Sequence, residues 1–95
     1  MATFEIGETV ICSVEIRNTA GTLVDPVTSM KIAIDRISPS LANIIADTTA
    51  MVLDSTGKYH YDFDSSSKVA GDYRVTYKAT DVTRVTIERE TFSLI

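Results

Sequence analysis

Residues 9–17 read TVICSVEIR, with Val10, Cys12, Val14 and Ile16 sharing one side and Ser13, Glu15 and Arg17 the other. Alternation with period two in a segment rich in β-branched residues predicts a half-buried strand. Asn18 and Gly21 supply turn chemistry, and Pro26 biases Asp25 away from helix and closes the loop. A second alternating run places Met30, Ile32 and Ile34 inward and Lys31 and Asp35 outward. Pro39, which has no backbone donor, ends that run. Residues 41–46 (LANIIA) are too few to hold a helix without packing and read as a short edge strand after a loop. Alternation resumes over residues 50–53 with Met51 and Leu53 inward, and the DSTG of residues 54–57 is a turn signal.

The next run sets Tyr59, Tyr61 and Phe63 against Lys58, His60 and Asp62, giving one aromatic face and one wet face. A polar connection, SSSKVAG at residues 65–71, leads into Tyr73, Val75, Tyr77 and Ala79 on a common phase. The last run changes phase, because Val85 and Ile87 are odd-numbered whereas Phe92 and Leu94 are even. One extra residue between Glu88 and Thr91 would restore the register, so a β-bulge or a switch of sheets is expected there. About seven short strands separated by turns, with no sustained helical period, predict an all-β sandwich or barrel. Val14, Ile32, Tyr61, Val75 and Ile87, mid-strand on the apolar phase, are its expected core.

Ninety-five residues suffice for one core and not for two, so residues 1–95 are expected to form a single domain. Hydrophobic residues at 44% and charged residues at 23% give an ordinary globular balance, which argues against disorder. Nine basic residues against thirteen acidic ones leave a net charge of -4, with the basic ones scattered. A surface that tracks phosphates needs a basic patch, so no nucleic-acid partner is expected. No apolar run is long enough to span a bilayer, and membrane insertion is not expected. The segment after Met1 enters a strand pattern without a basic and apolar leader, so with Met1 as the start the chain is expected to be made in a cytoplasm. Cys12 is the single cysteine, which rules out an intrachain disulfide, and its apolar neighbours mark it as a small buried hydrophobe.

Three stretches together resemble a prokaryotic or phage immunoglobulin-like domain of the macroglobulin, invasin or bacterial Ig type: FEIGETV at residues 4–10 with its following strand, DSTGKYHY at residues 54–61, and GDYRV at residues 71–75 followed by YKATD at residues 77–81. The resemblance implies a single immunoglobulin-like β-sandwich of about seven antiparallel strands. It also implies the roles such domains fill, as spacers, adhesin modules and virion components. The chain departs from antibody domains in lacking Trp and paired cysteines. Gly7 and Gly57 suit turns with positive φ, and Tyr73, near the start of a late strand, is placed to bond a loop backbone as in a tyrosine corner.

No constellation carries concentrated chemistry, and no catalytic residue, cofactor or metal is expected. His60 alternates with Lys58 and Asp62 on a solvated strand face, and Cys12 and His60 lack a second pair of zinc ligands. Asp54, Asp62, Asp64, Asp72 and Asp81 lie near strand ends, where some sandwiches bind calcium, but loop aspartates are common for turn reasons alone. The four tyrosines fall on the inward phase, which favours core packing over a stacking platform. Leu23 and Val24, with Leu41, Ile44 and Ile45, are apolar where strand signals are weak. They are read as ends of the sandwich or as an interface with a partner subunit. The terminal strand is the other candidate contact. The expected role is a non-enzymatic assembly protein of a phage or phage-like particle, a decoration, neck or tail-associated subunit bound to itself or to other virion proteins. The alternative is an extracellular or cell-surface binding or adhesion module cut from a larger protein.

Overall fold

A computed structural model describes residues 2–26 and 28–95, and the reading of Met1 as the start falls outside them. Eight strands follow in chain order among the described residues: β1 (Ala2–Phe4), β2 (Thr9–Glu15), β3 (Ser29–Ser38), β4 (Ala42–Ala50), β5 (Val52–Ser55), β6 (Lys58–Asp64), β7 (Gly71–Asp81) and β8 (Arg84–Leu94). They form a five-stranded sheet of order β1-β8-β7-β3-β4 and a three-stranded sheet of order β2-β6-β5. The neighbours pair antiparallel except β1 and β8, which run parallel with Ala2 beside Phe92 and Phe4 beside Leu94. The protein is therefore all-β and sandwich-like.

The core follows from the alternation. β2 contributes Val10, Cys12 and Val14; β3 contributes Met30, Ile32 and Ile34; β7 contributes Tyr73, Val75, Tyr77 and Ala79. Tyr59 and Phe63 enter from β6 and Phe92 and Leu94 from β8. One end is aromatic: Tyr73 stacks on Phe92 with centroids 5.3 Å apart, and Phe4 meets Phe92 edge-on at 5.9 Å. Such pairs add about 0.5–1.5 kcal/mol each beyond the area they bury. Tyr61, expected in the core, is only half-buried at its margin.

The expected bulge in the last strand does not occur. β7 and β8 pair without a break from Gly71 opposite Leu94 to Asp81 opposite Arg84. The change of apolar phase is therefore a real change of face. Phe92 and Leu94 point into the core, while Val85 and Ile87 point to the outer face of the sheet and are 51% and 48% exposed. Ile87 is thus not a core residue, because the inward positions of this half of β8 are taken by Thr86, Glu88 and Glu90, all exposed.

The break at Pro39 and the edge strand after it are present, though the strand is longer than expected. β4 spans nine residues on the sheet edge, and its register against β3 slips between Ile32 and Ile34. Thr49 faces Ile32 and Ile45 faces Ile34, so residues 46–48 bow out opposite Ala33. The chain crosses to the other sheet at Met51, which is half-buried as its alternation implied. Leu53, expected inward, is 52% exposed, because β5 is a four-residue edge strand with no buried position.

Candidate interaction surface

The five apolar residues read as an interface fall at two ends of the molecule. Leu23 bridges antiparallel to Arg17, and the Val24 amide donates to the Ile16 carbonyl at 3.0 Å. The loop is strapped to the β5–β6 turn, where Gly57 donates to Asp25 Oδ1 at 2.7 Å. A Cβ on Gly57 would come within 2.9 Å of the Val24 amide nitrogen and 2.8 Å of the Ile16 carbonyl oxygen. Gly57 has φ +74°, so glycine answers both the turn and the close approach. Leu23 and Val24 are half-buried and serve to close this end of the fold.

Leu41 lies at the opposite end, just after the part of β3 that pairs with the first residues of β7. It is 76% exposed. Ile44 and Ile45 are half-buried and pack against the core, so they are anchors of β4 more than free surface. Of the five, Leu41 alone presents most of its side chain to solvent. The register of β4 against β3 shifts again here, between Ile34 opposite Ile45 and Asp35 opposite Asn43.

The open sheet edges are the other surface. On the side of β8 away from β7, β1 covers only the stretch from Phe92 to Leu94. Among the described residues no strand pairs that side of β8 from Arg84 to Glu90, and Val85 and Ile87 flank it. A groove of about 190 Å³ lies at the covered end of β8, between β1, β2 and residues 90–92, lined in part by Phe4, Val10, Cys12, Glu90 and Phe92. Burial, and then Glu90 and Asp62, push the Cys12 thiol up to about 12. It is a hydrophobe here and not a nucleophile. Burial pushes the Tyr77 hydroxyl up as well, helped by its hydrogen bond to the Glu90 carboxylate.

The polar residues that sequence singled out are dispersed. His60 Nδ1 lies 2.5 Å from Asp54 Oδ1 and Nε2 lies 3.9 Å from Asp62 Oδ1; alternation places Asp62 on the face of His60, whereas Asp54 comes from β5 and no local pattern pairs it. Ser13 sits opposite His60 across the strands, on the outward face of the sheet. Asp64 accepts the Ser66 amide at 2.9 Å, which holds its carboxyl below the usual range. Asp72 accepts the Ser93 hydroxyl at 2.7 Å. Among the described residues no three His, Cys, Asp or Glu side chains are grouped to hold a metal ion. Tyr59, Tyr73 and Tyr77 are buried and Tyr61 half-buried, so no tyrosine lies on the open surface. No protein-family model, curated protein or solved structure matches the chain.

Proposed function

We propose that the chain is a non-enzymatic, immunoglobulin-like subunit that works by binding other protein subunits in an assembly, such as a phage or phage-like particle. The observation that carries the reading is the open edge of β8, flanked by half-exposed Val85 and Ile87 on a strand whose backbone is ready to pair. A sheet edge of this kind is a docking element for another chain. The immunoglobulin-like assignment is supported by the strand order β1-β8-β7-β3-β4 facing β2-β6-β5. It is supported also by Tyr73, whose hydroxyl donates to the Val69 carbonyl at 2.6 Å near the start of β7, the pattern of a tyrosine corner.

The test is gradient fractionation of native particles with mass measurement of the components. The chain is expected in the particle fraction at fixed stoichiometry, and Leu41→Asp is expected to lower its incorporation while leaving the thermal melt unchanged. Ile44 is unsuitable for such a change, because a charge there enters the core margin. A chain that remains free and monomeric in every native extract and binds a defined glycan overturns the reading in favour of an extracellular binding module.

A further inference from the structure

We propose that the open edge of β8 pairs with the same edge of a second copy, antiparallel and centred on Thr86. The inference rests on the reading of the chain as an assembly subunit and names one of its partners.

The other edges are poorly suited to self-pairing. β4 bows out over residues 46–48, and bulged edges resist strand addition. β5 has four residues and a register slip of its own. β2 offers seven residues, but its one charged side chain, Glu15, is already bridged to Arg17 at 2.9 Å. The β8 edge is regular, because its pairing with β7 has no irregularity along its length.

The ladder fixes which backbone groups face outward. Asp81 and Arg84 close a two-residue turn and so form a hydrogen-bonded pair, and alternation makes Ala79 with Thr86 and Tyr77 with Glu88 hydrogen-bonded pairs too. The amides and carbonyls of Val85, Ile87 and Arg89 therefore point to the free side. A second β8 must bring its own odd-numbered residues opposite these, which restricts the registers to those pairing odd with odd.

Centring on Thr86 places Val85 opposite Ile87 of the second copy and Arg84 opposite its Glu88, each twice by symmetry. The two apolar side chains now half-exposed then cover one another on the outer face, and opposite charges meet on the inner face. Among the described residues neither Arg84 nor Glu88 has an ion-pair partner. Centring on Glu88 sets that carboxylate against its own copy. Centring on Ile87 sends Arg84 to Glu90, which already accepts from Tyr77, and runs the turn residue Val82 against Phe92, where Ala2 is seated. With Thr86 at the centre the partner's turn stops opposite Glu90, just short of β1. The strand RVTIE, residues 84–88, is thus complementary to itself read backwards.

A single strand pairing covers less than the roughly 1,200 Å² of a stable free dimer, so association is expected to depend on concentration and to strengthen when copies are held together in a particle. Sedimentation velocity on the full chain tests it. Wild type is expected to dimerise with concentration, and Arg84→Glu or Glu88→Arg alone to weaken association by about tenfold or more. An equimolar mixture of the two single variants is expected to recover dimers, since both ion pairs then re-form between unlike copies. The double variant R84E/E88R is expected to recover them alone. Thermal melts of each variant confirm folding. A wild type monomeric at the highest attainable concentration, a dimer indifferent to either reversal, or a mixture that fails to associate overturns the pairing. Both single variants entering native particles at the wild-type level overturns the β8 pairing alone, whereas the assembly reading falls only if the chain is absent from particles.

Discussion

Ile32 and Ile87 carry the same side chain in strands of the same sheet, and their surroundings make them opposite in energetic weight. Ile32 is fully enclosed between β4 and β7, so Ile32→Ala removes buried methylenes and leaves a cavity, at a cost of about 2–5 kcal/mol. Ile87 has only the outer face of the sheet beneath it, and Ile87→Ala is expected to change stability by less than about 0.5 kcal/mol. Urea denaturation of the two variants separates them. Cys12 makes a prediction in pH. Its thiol ionises near 9 when the chain is unfolded and near 12 when it is buried, so above pH 9 the unfolded chain holds fewer protons than the folded one. Stability then falls as pH rises from about 9 toward 12, and is unaffected by this group below 9. Denaturation midpoints measured across that range are expected to drop, less steeply in Cys12→Ala than in wild type. Alternation alone located Ile32 and Cys12 in the core. It misplaced Ile87, because period two fixes which residues share a face and leaves open which face is covered.

Two features of the β7–β8 hairpin and the loop before it show what a strand pattern conveys and what it omits. The turn joining β7 to β8 has Val82 at φ +58°, at the first of its two central positions, where hairpins of this type favour glycine. A β-branched residue is strained there, and Val82→Gly is expected to stabilise the protein by about 0.5–1 kcal/mol, read as a higher melting temperature. Tyr73 holds the connection from Ser65 to Ala70 through its bond to the Val69 carbonyl, so Tyr73→Phe leaves that carbonyl without its donor and is expected to cost about 1–3 kcal/mol. The GDY signal makes this tyrosine legible in the sequence. The same signal gives no reason for glycine at its head, yet a Cβ on Gly71 would lie 1.9 Å from the Ser38 carbonyl oxygen. That close approach of β7 to the end of β3 is a long-range contact, and no local pattern records it. The same holds for β4, whose Ile44 and Ile45 are half-buried through a bowed register that depends on β3. Leu41, just ahead of it, is left largely exposed.

At the scale of the molecule, half of the six strand pairings, β1–β8, β2–β6 and β3–β7, join segments distant in sequence, and the first strand pairs with the last. Chains of this topology search long loops before contacts reward them, so folding is expected on the millisecond-to-second scale, which stopped-flow mixing measures. A microsecond phase carrying the full amplitude would contradict it. The parallel pairing of β1 with β8 has a mechanical consequence. Ala2 and Ile95 leave the clasp at opposite ends along the same axis, and the clasp extends through the Ile95 amide to the Phe4 carbonyl at 2.9 Å and the Ile6 amide to the Ile95 carbonyl at 3.1 Å. Tension applied between the two termini therefore slides these strands past each other. Their hydrogen bonds are loaded together, in shear, and do not peel one at a time. A chain held by both ends resists pulling at this short seam before its core is strained, and Ile6→Pro, which removes the amide that donates to the Ile95 carbonyl without touching that core, is expected to lower the rupture force in single-molecule extension.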